Sequence, residues 1–316
     1  MSVLRVFLFG NVRVMHDDAI STPATPKLTR GVQALLAYLV LQQCHTDTRD
    51  FLAGLFWREF SEERARSCLN TAVWRLRRVL EPPGVPPGTY LTTLPQEGIR
   101  FNCESTHWLD VKAFEEQVTR FISCPVQSIS AAEATAVEEV LSLYTADLLE
   151  NFYEDWAVQE RERLQCLYLN GLTHVMDYSL HHRACEQSLS YGQRILRHDP
   201  LREDIHRQMM RLCMQSGQRA LALRQYEACR AALRSELNIE PMLETRTLYE
   251  ACLKASENVR SQIPGEAKAV RSQREAMREF RAAMRAFDDA YSQLRHAMVQ
   301  LAQTVDNDGA DEMCGL

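Results

Sequence analysis

Lysine is scarce in this chain, with four residues against 32 arginines, and the formal net charge of the 316 residues is -6. Several chemistries are excluded by what is missing. No Gly-x-Gly occurs and no glycine is followed by lysine, so there is neither a dinucleotide fingerprint nor a phosphate-binding P-loop. No Cys-x-x-Cys occurs. The ten cysteines are scattered, and Cys166, Cys185, Cys213 and Cys229 fall in helical patterns where a small apolar residue serves. We therefore expect free thiols in a reducing compartment. Cys103 and His107 have ligand-like spacing but no second pair beside them, and His181-His182 reads as the flank of a helix. The longest apolar run, 34–41, is far too short to span a bilayer, and the amino terminus has no signal-peptide core. The expectation is a cytoplasmic protein without cofactor, metal, catalytic residues or membrane contact.

The charge that is present is unevenly spread. Residues 1–105 carry 12 Lys+Arg against 10 Asp+Glu, residues 106–256 carry 16 against 22, and residues 257–316 carry 8 against 10. The front is thus net positive while the rest is acidic, and five of its basic residues lie between Arg64 and Arg78.

The first hundred residues read as strand, three helices and a hairpin. "VLRVFLFGNVRV" alternates toward strand, and Leu35, Leu36, Leu39 and Val40 recur at helical spacing after Thr29. A short helix is expected near 49–56 after Asp47 and Thr48, and a third after Ser61, with Glu62 and Glu63 in its first turn. "EPPGVPPG" then turns the chain, and "TYLTTLPQEGIRFN" reads as two strands around a turn. From about 110 to 255 the pattern is helical with short loops. Two of its segments overlay at an offset of 34, Ser188 on Ala222 and Leu189 on Leu223, which is the tetratricopeptide period.

Beyond a Pro-Gly linker, Met277, Phe280, Met284, Phe287, Tyr291, Leu294, Met298 and Leu301 follow 3-4 spacing. These positions are expected to mediate self-association. The fold class is therefore mainly α with a small β component: an N-terminal winged helix-turn-helix over 1–105, a tetratricopeptide-like helical repeat domain over 106–255, a linker at 256–265, a heptad helix at 266–305 and a disordered tail at 306–316.

On a helical wheel of 100° per residue starting at Arg64, the apolar residues Ala65, Cys68, Leu69, Ala72, Val73, Leu76, Val79 and Leu80 fall between roughly 40° and 180°. Arg64, Arg66, Ser67, Asn70, Thr71, Trp74, Arg75, Arg77 and Arg78 occupy the remaining arc. Trp74 stands near its middle. Arginine grips phosphate or guanine through paired hydrogen bonds, and short polar side chains approach base edges. An exposed tryptophan asks for a partner surface. A face of this kind, behind two short helices and ahead of a hairpin carrying Arg100, points to double-stranded DNA. The competing reading is a non-enzymatic adaptor that uses its repeats and heptad helix. An arginine-rich face is poorly suited to protein docking, which disfavours it.

These stretches also carry a resemblance. "FLFGNVRV", "LLAYLVLQQ", "LAGLFW" and "ARSCLNTAVWRLRRVL" resemble the OmpR-type winged helix. "LDVKAFEE", "LENFYEDWAVQERERL" and "HDPLREDIHRQMMRLCMQSGQRALALRQYEACRAALRSELNIEP" resemble the bacterial transcriptional activator domain. Together they resemble the SARP class of bacterial transcription factors over about four fifths of the chain. The resemblance implies a nucleoid-associated activator that puts residues 62–80 in the major groove and the 89–103 hairpin near the backbone or minor groove. It further implies recruitment of RNA polymerase, binding to promoter direct repeats as paired protomers, and, with the chain beginning at the winged helix, no receiver domain. Trp74 departs from the pattern, in which a small polar residue is common; a thymine methyl is one feature it could contact. The hairpin, with one arginine and an acid, suggests a weaker phosphate grip.

Overall fold

The alternation at the amino terminus forms a hairpin. In a computed structural model, which describes residues 3–16, 28–42, 45–94 and 98–260, β1 (Leu4–Phe7) pairs antiparallel with β2 (Arg13–His16). Leu4 and Val6 are fully buried while Arg5 faces outward, the period-2 signature of a half-buried strand. Three helices follow: α1 (Arg30–Leu41), α2 (Arg49–Phe56) and α3 (Glu62–Leu80). The Thr48 hydroxyl caps α2 by accepting the Phe51 N–H at 3.3 Å. Ser61 precedes α3 in extended conformation without a side-chain cap bond, and Glu62 and Glu63 complement the dipole instead.

The wing is β3 (Leu91–Leu94) and β4 (Gly98–Phe101), antiparallel with Leu91 opposite Phe101. It is fastened to the α1–α2 connection, because Ile99 N–H donates to the Asp47 carbonyl at 2.9 Å and Asp47 N–H donates to the Ile99 carbonyl at 3.2 Å. Gly98 makes that approach possible. Its φ of +117° disfavours other residues, and a Cβ there would lie 1.9 Å from the Asp47 carbonyl oxygen.

A strand absent from the expectations, β5 (His107–Leu109), adds in parallel to the free side of β1, giving the order β2-β1-β5. Asp110 opens the next helix, α4 (Asp110–Ile122), and is buried. Its carboxylate accepts N–H bonds from Leu8 at 2.8 Å, Phe9 at 3.0 Å and Val111 at 2.8 Å. Burial pushes this carboxyl above its ordinary pKa, and the N–H donors partly offset the shift.

Helices α5 (Ala131–Leu141), α6 (Asp155–His181), α7 (Cys185–His198), α8 (Glu203–Gln215), α9 (Arg219–Leu237) and α10 (Leu243–Arg260) complete the described chain. α6 pairs with α7 and α8 with α9. The 34-residue offset appears in the boundaries: α6 ends at 181 and α8 at 215, while α7 starts at 185 and α9 at 219. Ser188 and Ala222 are both fully buried, as equivalent positions of stacked hairpins should be. Gly192 permits the close crossing of α7 and α8, since a Cβ would sit 2.8 Å from Met209 Sδ.

Residues 1–248 form one compact unit, and a second begins at Tyr249. Within the first, the winged helix and the helical array share a core. Phe9 packs edge-on to Phe114 at 5.3 Å between ring centroids, Tyr144 stacks on Tyr168 at 4.2 Å, and Trp156 meets Tyr38 at 5.4 Å. The Arg161 guanidinium donates to the carbonyls of Leu148, Leu149 and Phe152, fixing the loop whose Leu149 N–H binds the Leu8 carbonyl at 3.1 Å.

Cys166, Cys185, Cys213 and Cys229 form no disulfide, as expected. Cys103 corrects that expectation, because it is disulfide-bonded. Neither local spacing nor helical patterning announces such a bond. α10 continues to Arg260, so the stretch read as a linker from 256 starts helical. The heptad positions Met277, Phe280, Met284, Phe287, Tyr291, Leu294, Met298 and Leu301 lie outside the described residues, as does the tail.

Candidate nucleic-acid interface

α3 buries the arc its sequence marks as apolar. Leu69, Leu76 and Leu80 are at most 1% exposed, and Ala65, Ala72, Val73 and Val79 are buried with them. The opposite arc is open: Arg64, Ser67, Asn70, Thr71, Trp74, Arg75 and Arg78 are all exposed, and Trp74 keeps 55% of its surface in solvent. Arg77 differs, being half-buried. Its Nη2 donates to the Thr93 hydroxyl of β3 at 2.6 Å, while its Nε is buried without a hydrogen-bond partner. α3 is thereby tied to the wing. Arg100 of β4 is partly exposed on that wing, paired across the strands with Thr92.

Several polar groups on the open arc are held by neighbours that the sequence does not reveal. Arg49, the first residue of α2, donates to Asn70 Oδ1 at 2.7 Å. Arg66 Nε binds Asp50 at 2.7 Å, and that bond raises the guanidinium pKa further above the neutral range. The Thr71 hydroxyl donates to the Ser67 carbonyl one turn earlier, at 3.0 Å. Two arginines stack on aromatic rings: Arg64 over Phe60 at 4.6 Å to the centroid, and Arg78 over Trp74 at 5.0 Å. Arg49, Asp50, Phe60 and Thr93 therefore belong to the site although sequence reading passed over them. The one available signal was their place at the start of α2, in the α2–α3 turn and on the wing.

The result is a convex, cationic helix face with short polar side chains, a central aromatic and a wing bonded to its last turn. Such a face suits the major groove, where phosphates flank accessible base edges. Among the described residues no helix is long and apolar enough to cross a membrane, and no group of three or more His, Cys, Asp or Glu is placed to hold a metal ion.

Comparison with known proteins gives this geometry a context. Residues 109–253 match the bacterial transcriptional activator domain. The chain is 24% identical over 256 residues to the regulatory protein AfsR of Streptomyces griseus and 25% identical over 256 residues to that of Streptomyces coelicolor. These alignments cover 81% and 80% of this chain but 25% and 24% of the relatives, so the chain spans about a quarter of their length. The structure of Mycobacterium tuberculosis EmbR, solved in complex with a low-affinity phosphopeptide, superimposes with a TM-score of 0.64. At 21% identity it covers 81% of this chain and 66% of its own, a likeness of fold. The helical part of the chain thus matches the bacterial transcriptional activator domain, and over about four fifths of its length, winged helix included, the chain is similar to these bacterial regulatory proteins.

Proposed function

We propose that this chain is a sequence-specific DNA-binding activator that places α3 in the major groove of promoter DNA, sets its β3–β4 wing against the adjacent backbone or minor groove, and recruits RNA polymerase. The observation that carries the reading is the open arc of α3, where arginines surround an exposed tryptophan beside a tethered wing. Arg64, Arg75 and Arg78 serve as phosphate or guanine contacts, Ser67, Asn70 and Thr71 approach base edges, and Arg100 touches the backbone from the wing. Arg77 acts chiefly as the link that sets the wing's position relative to α3.

Binding to direct repeats as paired protomers, self-association through Met277 to Leu301, and residence in the cytoplasm at the nucleoid complete the proposal. The adaptor reading is disfavoured by the arginine content of the open arc.

Binding of a long duplex by the full-length protein, titrated across ionic strength, tests the contact set. The logarithm of affinity should fall linearly with the logarithm of salt concentration, and Arg75→Ala or Arg78→Ala should each flatten that slope by about 0.9, one phosphate's worth. Unchanged slopes in both variants would mean that another surface meets the DNA.

A further inference from the structure

The open arc of α3 is partly self-satisfied. Asn70 is held by Arg49, Thr71 by its own helix, Arg66 by Asp50 and Arg77 by Thr93. Trp74 is not engaged in this way. Its ring stands at the centre of the arc with 55% of its surface in water, and the Arg78 guanidinium packs over it 5.0 Å from the centroid.

That packing restrains the ring and keeps a positive charge beside it. An indole offers one N–H donor and an otherwise apolar perimeter. In the major groove the apolar feature of a base pair is the 5-methyl group of thymine; the remaining features are hydrogen-bond donors and acceptors. A restrained, exposed ring on the face that enters this groove therefore has one well-matched target.

We propose that Trp74 is a specificity-determining residue that packs on the 5-methyl group of a thymine in the bound site, with Arg78 positioning the ring. This rests on the reading that α3 lies in the major groove. It adds the class of base feature being read and the residue that reads it.

The full-length protein is used to enrich duplexes from a random pool, and the enriched duplex is remade with each thymine in turn replaced by deoxyuridine, which deletes only the methyl. One or two positions should lose about three- to fivefold in affinity, the worth of burying one methyl group. In Trp74→Ala the uridine and thymidine duplexes should bind equally, whereas Trp74→Phe, which keeps an aromatic surface, should retain part of the difference. Because the ring is exposed, neither variant should alter thermal unfolding, which separates a reading role from a structural one.

Binding that is uridine-insensitive at every position would overturn the inference and leave the DNA-binding reading intact. A difference that survives in Trp74→Ala would assign the methyl contact elsewhere, which also overturns it. A pool that returns without enrichment would overturn both readings together.

Discussion

Leu76 and Trp74 lie two residues apart on α3 and do opposite work. Leu76 is fully buried in the core, where its side chain is removed from water on every side, while Trp74 is more than half exposed. Leu76→Ala should therefore cost about 2–5 kcal/mol by loss of burial and creation of a cavity. Trp74→Ala should change stability by no more than about 0.5 kcal/mol. Urea unfolding of the two variants checks this, and a large loss for Trp74→Ala would show that the ring supports the fold rather than the interface. The distinction was legible from the wheel, because burial on a helix follows the 3.6-residue period and little else. Hydrogen bonds between elements were not. Nothing local in the sequence says that Arg49 reaches Asn70 or that Arg77 reaches Thr93, since each pair is brought together only after the helices and the wing have packed.

At the scale of elements, the helices and the wing hairpin follow their local signals. Thr48 caps α2 and the acidic pair opens α3 where the sequence places them. The strand β5 did not declare itself. It is three residues long, and its parallel pairing with β1 joins segments about a hundred residues apart, so no alternation is long enough to read. Asp110 went unnoticed for the same reason: its partners Leu8 and Phe9 are distant in the chain. The wing is fastened to the α1–α2 connection by the paired Asp47–Ile99 backbone bonds, and Gly98 allows them. Gly98→Ala would force a Cβ into the Asp47 carbonyl, and the φ of +117° adds strain, so the wing should detach locally. Hydrogen exchange should then show the Ile99 amide losing protection while amides in α6 keep theirs. Retained protection at Ile99 would mean that the wing is held chiefly by the Arg77–Thr93 bond and side-chain packing.

At the scale of the molecule, residues 1–248 share a core from β1 into the repeat helices. The Phe9, Phe114, Tyr144 and Tyr168 rings and the Tyr38–Trp156 contact join the winged helix to the array. The open arc of α3 is thus presented by a compact unit, so on the proposed reading its arginines would approach DNA with little ordering of the backbone left to do. Sequence spacing separates a strand-and-helix front from a helical back, yet it does not disclose that the two are welded, because the weld consists of buried aromatics that would read equally well as two separate cores. The charge of the sequence, positive at the front and acidic beyond it, fits the same proposal, since a positive front would favour approach to a polyanion.

The central claim is that this arc recognises particular DNA sequences, and selection of bound duplexes from a random pool by the purified full-length protein tests it most directly. The account predicts enrichment of a short motif repeated in tandem at a spacing of about one helical turn, as paired protomers on one face of the duplex require. A pool recovered without any enriched motif, at low salt and with protein in excess, would contradict it.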